Sequence, residues 1–107
     1  MSDSKYDLVA KQLAAIEQEL RTIGWWSSSP PTLEQLNFQE AFAADTMAYH
    51  QWLQFVFIPR VQTILNAKGD FPPSSNVGIR AIREYDGLDK ANSLVELLCN
   101  FDRIIEE

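Results

Sequence analysis

Apolar residues recur at Tyr6, Val9, Leu13, Ile16, Leu20 and Ile23, a three-four spacing that puts all six on one stripe of an α-helix. Lys11, Gln12, Glu17, Gln18 and Arg21 fill the wet face. Ser4 can accept backbone N–H bonds at the start, Asp7 opposes the positive end of the helix dipole, and Gly24 can take the left-handed conformation that stops the helix. The pattern predicts an amphipathic first helix from about Tyr6 to Ile23.

The stretch from Trp25 to Asp45, WWSSSPPTLEQLNFQEAFAAD, has little periodicity and opens on serines and two prolines. It predicts a long loop with a turn of helix near Leu33 to Leu36. Loops of this length in a compact domain are functional, mobile or pinned by their own aromatics, here Trp25, Trp26, Phe38 and Phe42. The tryptophans read first as staples to the core and second as a partner-binding patch. Neighbouring residues on an extended segment point to opposite sides, so one of the two is expected to be at least partly exposed.

From Asp45, a credible N-cap, to Lys68 the pattern changes. The only charge between Thr46 and Ala67 is Arg60, while Trp52, Leu53, Val56, Phe57, Val61, Ile64 and Leu65 repeat at helical spacing. Phe55 and Ile58 fall on the other side, which makes the helix apolar nearly all round and places it at the centre of a bundle. Trp52, Leu53, Val56, Phe57 and Ile64 are its expected core residues. Pro59 cannot donate to the carbonyl of Phe55 and predicts a kink, and Lys68 and Gly69 close the helix.

Beyond a turn-rich AKGDFPPSSN, the residues Val77, Ile79, Ile82 and Tyr85 suggest a short helix from about Asn76 to Tyr85, weakened by Gly78. Asp89 then caps a last helix whose stripe is Ala91, Leu94, Leu98, Phe101 and Ile105. No strand is needed. The expected fold is an all-α four-helix bundle in one domain, residues 1–107, with a long loop after helix 1 and a short third helix.

Charge narrows the functions available. Nine Lys and Arg against fifteen Asp and Glu give a net −6, and the basic residues are scattered. Autonomous nucleic-acid binding needs clustered cations to displace phosphate counterions, so none is expected, and the same balance opposes an anionic membrane. Several polar residues interrupt the central helix, which argues against a membrane span. The N-terminus lacks the basic start and apolar core of a signal peptide, and a cytoplasmic location is the expectation. The lone Cys99, set in LVELLCNF, reads as a buried thiol.

The stretch FAADTMAYHQWLQFVFIPRVQTIL, with its spacing from Asp45, Thr46 and Met47 to Trp52, Leu53, Gln54 and then Ile58, Pro59, Arg60, resembles the YqcC-like family of small bacterial proteins. The first helix and SLVELLCNFDRIIE extend the likeness over nearly the whole chain as helical patterns. The resemblance implies an all-α bundle, often encoded beside a tRNA pseudouridine synthase and sometimes carrying that enzyme's name. Pseudouridine synthases are much larger mixed α/β proteins, so it implies at most an accessory partner of such an enzyme.

Candidate chemistry is sparse. His50, the one histidine, reads as a half-buried hydrogen-bonded imidazole before a catalytic base, and Glu40, Asp45 and His50 lack the short helical spacing of a metal site. The four glycines are isolated, so no phosphate loop is present. No catalytic residue, metal or cofactor is assigned. Arg60, within so apolar a helix, must snorkel to water or find a carboxylate, and a structural ion pair is the first expectation. Alternatively Arg60 and Gln54 anchor the mouth of a groove. The leading function is a non-catalytic protein-interaction module recognising partners through Trp25, Trp26, Gln54, Arg60, Phe71, Pro72 and Pro73, with self-association left open. The alternatives are a small-molecule or lipid carrier holding an apolar ligand between helices, and an enzyme of unrecognised site.

Overall fold

The computed structural model describes residues 4–37, 39 and 47–107. α1 is Lys5–Thr22; its Ser4 hydroxyl accepts from the Asp7 N–H, and Val9, Leu13, Ile16 and Leu20 are buried. Gly24, at φ 80°, ends it in a Schellman turn, with the Gly24 N–H bonded to the Arg21 carbonyl and the Trp25 N–H to that of Leu20. The following loop carries α2, the single turn Leu33–Leu36, capped by Thr32 and Gln35. Phe38, Glu40, Phe42 and Asp45, given roles above, lie outside the described residues.

The central helix α3 is built in three pieces: an α-helical turn Tyr49–Trp52, a π-helical segment Leu53–Phe57 and an α-helical stretch Ile58–Ala67. It starts later than its sequence suggests, because Gln51 bonds back to the Ala48 N–H and takes the capping role expected of Asp45. Pro59 acts through the π segment. Its missing N–H makes the α-helical bond to Phe55 impossible, and just ahead of it the Ile58 N–H reaches the Leu53 carbonyl instead.

The widened turn rotates everything that follows. In an unbroken helix of 3.6 residues per turn Arg60 shares a face with Leu53, Val56 and Phe57. Here Val61 is buried in its place and Arg60 is exposed. The same rotation buries Ile58, expected on the far side, and leaves Ile64 only half-buried rather than in the core. Trp52, Leu53, Val56 and Phe57 are core residues as their spacing predicts. At the C-terminal end Lys68, not Gly69, takes the left-handed conformation, at φ 50°. The Tyr6 hydroxyl reaches the carbonyls of Lys68 and Gly69, at 2.9 and 2.8 Å, and ties this end to α1.

α4, Val77–Glu84, leads through a 3-10 turn, Asp89–Ala91, into α5, Asn92–Glu106. Asp89 therefore sits in the 3-10 turn and does not cap the last helix. α5 packs on both α1 and α4, and α1 also touches α3. At Gly78 the backbones of α4 and α5 lie against each other: a Cβ there would lie 2.5 Å from the Cys99 Cα, so the glycine is required by contact and not merely tolerated. Lys5 donates to the carbonyls of Ile105 and Glu107, fastening the end of α5 to the start of α1. Among the described residues there is no strand, and no helix is long and apolar enough to cross a membrane. The result is an all-α bundle, with four principal helices and the short turn α2 among the described residues.

Candidate functional site

Two proline- and serine-bearing loops flank α3, and the sequence-predicted residues divide between them. At the first, Trp25 and Trp26 are both half-buried. Trp25 stacks on His50 at 4.9 Å between ring centroids and meets Tyr85 at the same distance, while the Lys90 ammonium lies 5.5 Å from its ring. Trp26 carries the Arg21 guanidinium over its face at 4.3 Å. Both tryptophans pack against the core and both keep some solvent contact. Burial lowers the pKa of His50 from its ordinary value.

Gln54 belongs to this first loop. It is buried at 7% exposure, its Oε1 accepts from the Ser27 N–H and its Nε2 donates to the Ser27 carbonyl, both at 2.8 Å. One neutral amide thereby satisfies both backbone groups of a loop residue, as buried polar groups require. The amide is consumed, so Gln54 does not join Arg60 at the mouth of a groove. The pocket remaining between this loop and α3, lined by Ser27, Pro30, Gln51 and Phe55 among others, has about 150 Å³.

The second loop, residues 69–76, is built differently. Phe71 is half-buried, its ring 5.1 Å from that of Tyr6, and the Lys5 ammonium stands 5.8 Å from the same ring. The loop is fixed by Asp102 of α5, a residue that sequence reasoning missed. Its Oδ1 accepts from the Ser75 hydroxyl at 2.6 Å and the Val77 N–H at 3.1 Å, and its Oδ2 from the Gly78 N–H at 2.8 Å. A carboxylate remote in sequence thus caps α4, whose own N-cap residue Asn76 makes no side-chain cap bond. Burial raises the Asp102 pKa above the ordinary carboxylate value, and the bonds from Ser75, Gly78 and Val77 restrain the rise. Beside it the Tyr49 hydroxyl donates to the Val77 carbonyl at 2.7 Å, with its pKa pushed far up by burial.

Between this loop, the second half of α3 and α5 lies an apolar cleft of about 230 Å³ that is open to solvent. Trp52, Phe57, Val61, Phe71, Phe101 and Ile105 form its walls, with Pro72, Ser74 and Ser75 on the loop side. Arg60 stands at its edge. The ion pair expected of Arg60 is not made: the guanidinium is exposed and forms no salt bridge among the described residues, because the π segment has turned it outward. Arg60, Phe71 and Pro72 therefore meet at one cleft, exposed Pro73 follows in the same loop, and Trp25, Trp26 and Gln54 belong to the other. Trp52, Phe101 and Ile105 were legible as core stripe but not as cleft wall. Among the described residues no three His, Cys, Asp or Glu side chains come together to hold a metal.

A family model described as tRNA pseudouridine synthase C, DUF446, matches residues 8–104. The chain belongs to this YqcC-like family. The fold agrees with it: the solution NMR structure of YqcC from Escherichia coli superimposes with a TM-score of 0.85 at 28% identity, covering 98% of this chain and 91% of that one. By sequence, the YqcC protein of E. coli K12 is 39% identical over 67 residues, 63% of this chain and 62% of its own length. An uncharacterized protein of Haemophilus influenzae is 31% identical over 88 residues, 82% of this chain and 80% of that protein. A protein of Pectobacterium carotovorum named tRNA pseudouridine synthase C is 38% identical over 71 residues, 66% of this chain. The match spans only 19% of that relative's length. Family membership accordingly fixes the bundle, and the cleft describes what this member presents on it.

Proposed function

We propose that this chain is a non-catalytic protein-interaction module that acts as an accessory to tRNA pseudouridine modification. The observation that carries the interaction reading is the open apolar cleft beside the second loop, with an uncommitted guanidinium at its edge. Side chains of Trp, Phe and Arg gathered at a concave surface are the composition of interface hot spots. At about 230 Å³ the cleft falls below the usual range of roughly 300 to 1,000 Å³ for small-molecule pockets, which favours a partner's side chain over an enclosed ligand.

Support for the enzyme link comes from the relative named tRNA pseudouridine synthase C, in which a region like this one makes up about a fifth of the chain. Charge is consistent with it. A module of net charge −6 with scattered Lys and Arg offers no basic track for RNA, which leaves a protein as its partner. The test is calorimetric titration of the chain with the tRNA pseudouridine synthase of its own organism at physiological salt, with free tRNA as the comparison. A saturable complex with the enzyme, micromolar or tighter, and none with tRNA alone is expected. Heat from tRNA alone, or none from the enzyme, overturns the reading.

A further inference from the structure

We propose that the cleft recognises an extended acidic segment of a partner protein, taking one aromatic or aliphatic side chain between α3 and α5 while the carboxylate of a neighbouring Asp or Glu pairs with Arg60. The inference deepens the protein-interaction reading above and rests on it.

Charge complementarity carries the argument. Arg60 is the one charged residue among those lining the cleft, in a protein whose overall balance is −6. A guanidinium left in the open beside a hydrophobic surface is a ready partner for a carboxylate, which it can hold through two parallel N–H···O bonds. No acid of the cleft wall competes for it. Asp102, on the α5 side, spends its oxygens on Ser75, Val77 and Gly78, and the loop side supplies Phe71, Pro72, Ser74 and Ser75, none of them charged.

Size and rigidity favour a peptide side chain. The volume is that of one or two large side chains, below the common small-ligand range. The walls are prearranged: Phe57 and Phe101 meet edge to face at 4.9 Å, and the loop opposite is fixed through Ser75. A preformed pocket of this kind loses little conformational entropy on receiving an anchor.

The test uses the full chain, labelled with nitrogen-15, titrated with acetyl-Gly-Phe-Glu-Gly-amide, its Gln counterpart, its Lys counterpart and sodium decanoate. The Phe-Glu peptide is expected to give saturable shifts confined to Arg60, Val61 and residues 71–77, several-fold tighter than the Gln peptide. Arg60→Glu, at an exposed position, should keep the spectrum of the fold, lose the Phe-Glu peptide and favour the Phe-Lys one. Equal binding of the Glu and Gln peptides, indifference to Arg60→Glu, or no saturable shift with any peptide overturns the proposal. Decanoate acting on these amides where the peptides do not would replace it with a carrier of apolar acids. Capture of the pseudouridine synthase by wild type and Arg60→Glu alike would defeat the cleft while sparing the interaction reading. Capture by neither would defeat that reading, with the peptide titration still judging the cleft.

Discussion

The two loops beside α3 are written in nearly the same letters, WWSSSPP at 25–31 and FPPSSN at 71–76, and the bundle uses them in opposite ways. Each is fixed by one buried polar side chain from a helix. Gln54 meets Ser27 with a neutral amide, donor and acceptor both used, and the loop closes down to a pocket of about 150 Å³. Asp102 meets Ser75 and two N–H groups of α4 with a charge, and the loop it holds stands off to leave an apolar cleft of about 230 Å³. Composition marks both segments as turns rich in aromatic surface. Which one closes and which stays open is decided by the helix residue that reaches it.

A row of rings joins the two. From Trp25 it runs through Tyr85 and Tyr49 to Trp52, then Phe57 and Phe101, with successive centroids between 4.9 and 6.1 Å apart. Cutting the middle should therefore harm both loops at once. Trp52→Ala or Phe57→Ala, each at a buried position, is expected to cost about 3 to 5 kcal/mol by the large-to-small rule. In a domain of this size that approaches the whole stability. Chemical denaturation followed by circular dichroism measures it, and a cost under about 1 kcal/mol for both variants would contradict the central place given to α3.

Asp102→Ala should separate the loops. It strands the α4 amides and the Ser75 hydroxyl, for an expected loss of about 2 to 3 kcal/mol, with α4 and residues 69–76 exchanging amide protons faster while the first loop does not. The acid also sets a pH dependence. Its pKa is raised on folding, so between the ordinary value near 3.8 and the higher folded value the folded chain holds more protons than the unfolded one. Stability from this group is complete below about 3.8 and falls as pH rises through the folded value. Asp102→Asn should remove that part of the profile in urea titrations run upward from the ordinary 3.8.

Gln54→Ala tests the opposite arm. Losing one amide that answers two backbone groups should cost about 1 to 2 kcal/mol, less than Asp102 because no charge is involved and Ser27 can turn to water. Tryptophan fluorescence should report it through Trp25 and Trp26, two residues upstream of the clamp's partner or nearer. Phe71 and the Arg60 cleft should keep their wild-type amide shifts. A response at both loops to either variant would mean that the aromatic row transmits more than packing.

These clamps also show where sequence reading stops. The stripes Val9, Leu13, Ile16, Leu20 and Leu94, Leu98, Phe101, Ile105 were legible because burial follows the helical period. Pro59 signalled a fault in α3 but not its form. A kink leaves the helical phase alone, whereas a π turn shifts it, and beyond that shift Arg60 is exposed. Asp102 and Gln54 gave no signal of their roles, since a polar residue beside an apolar stripe looks the same whether it snorkels to water or bonds a loop dozens of positions away. Phe71 and Pro72 were legible as loop aromatics and prolines. Their opposition to Arg60 depends on the packing of α5, which no local pattern encodes.

The smallest expected effect belongs to His50, and it sharpens the contrast by giving the first loop a titration of opposite sign to Asp102. The ring is half-buried against Trp25, with the Lys90 ammonium near the same indole, and burial lowers its folded pKa below the ordinary 6.5. Below 6.5 the unfolded chain then takes up the proton more readily, so the stability from neutral His50 is complete above that value and is lost as pH falls through the folded pKa. Solvent screens a half-buried ring, and the loss should stay under about 1 kcal/mol. His50→Gln should flatten the stability profile as pH falls below 6.5, and the comparison is made in the Asp102→Asn background as well as in wild type so that the raised carboxylate does not contribute. If His50→Gln retains the wild-type slope there, the ring is not held neutral by the first loop, and the tryptophan stacked on it is a surface neighbour and not a seal.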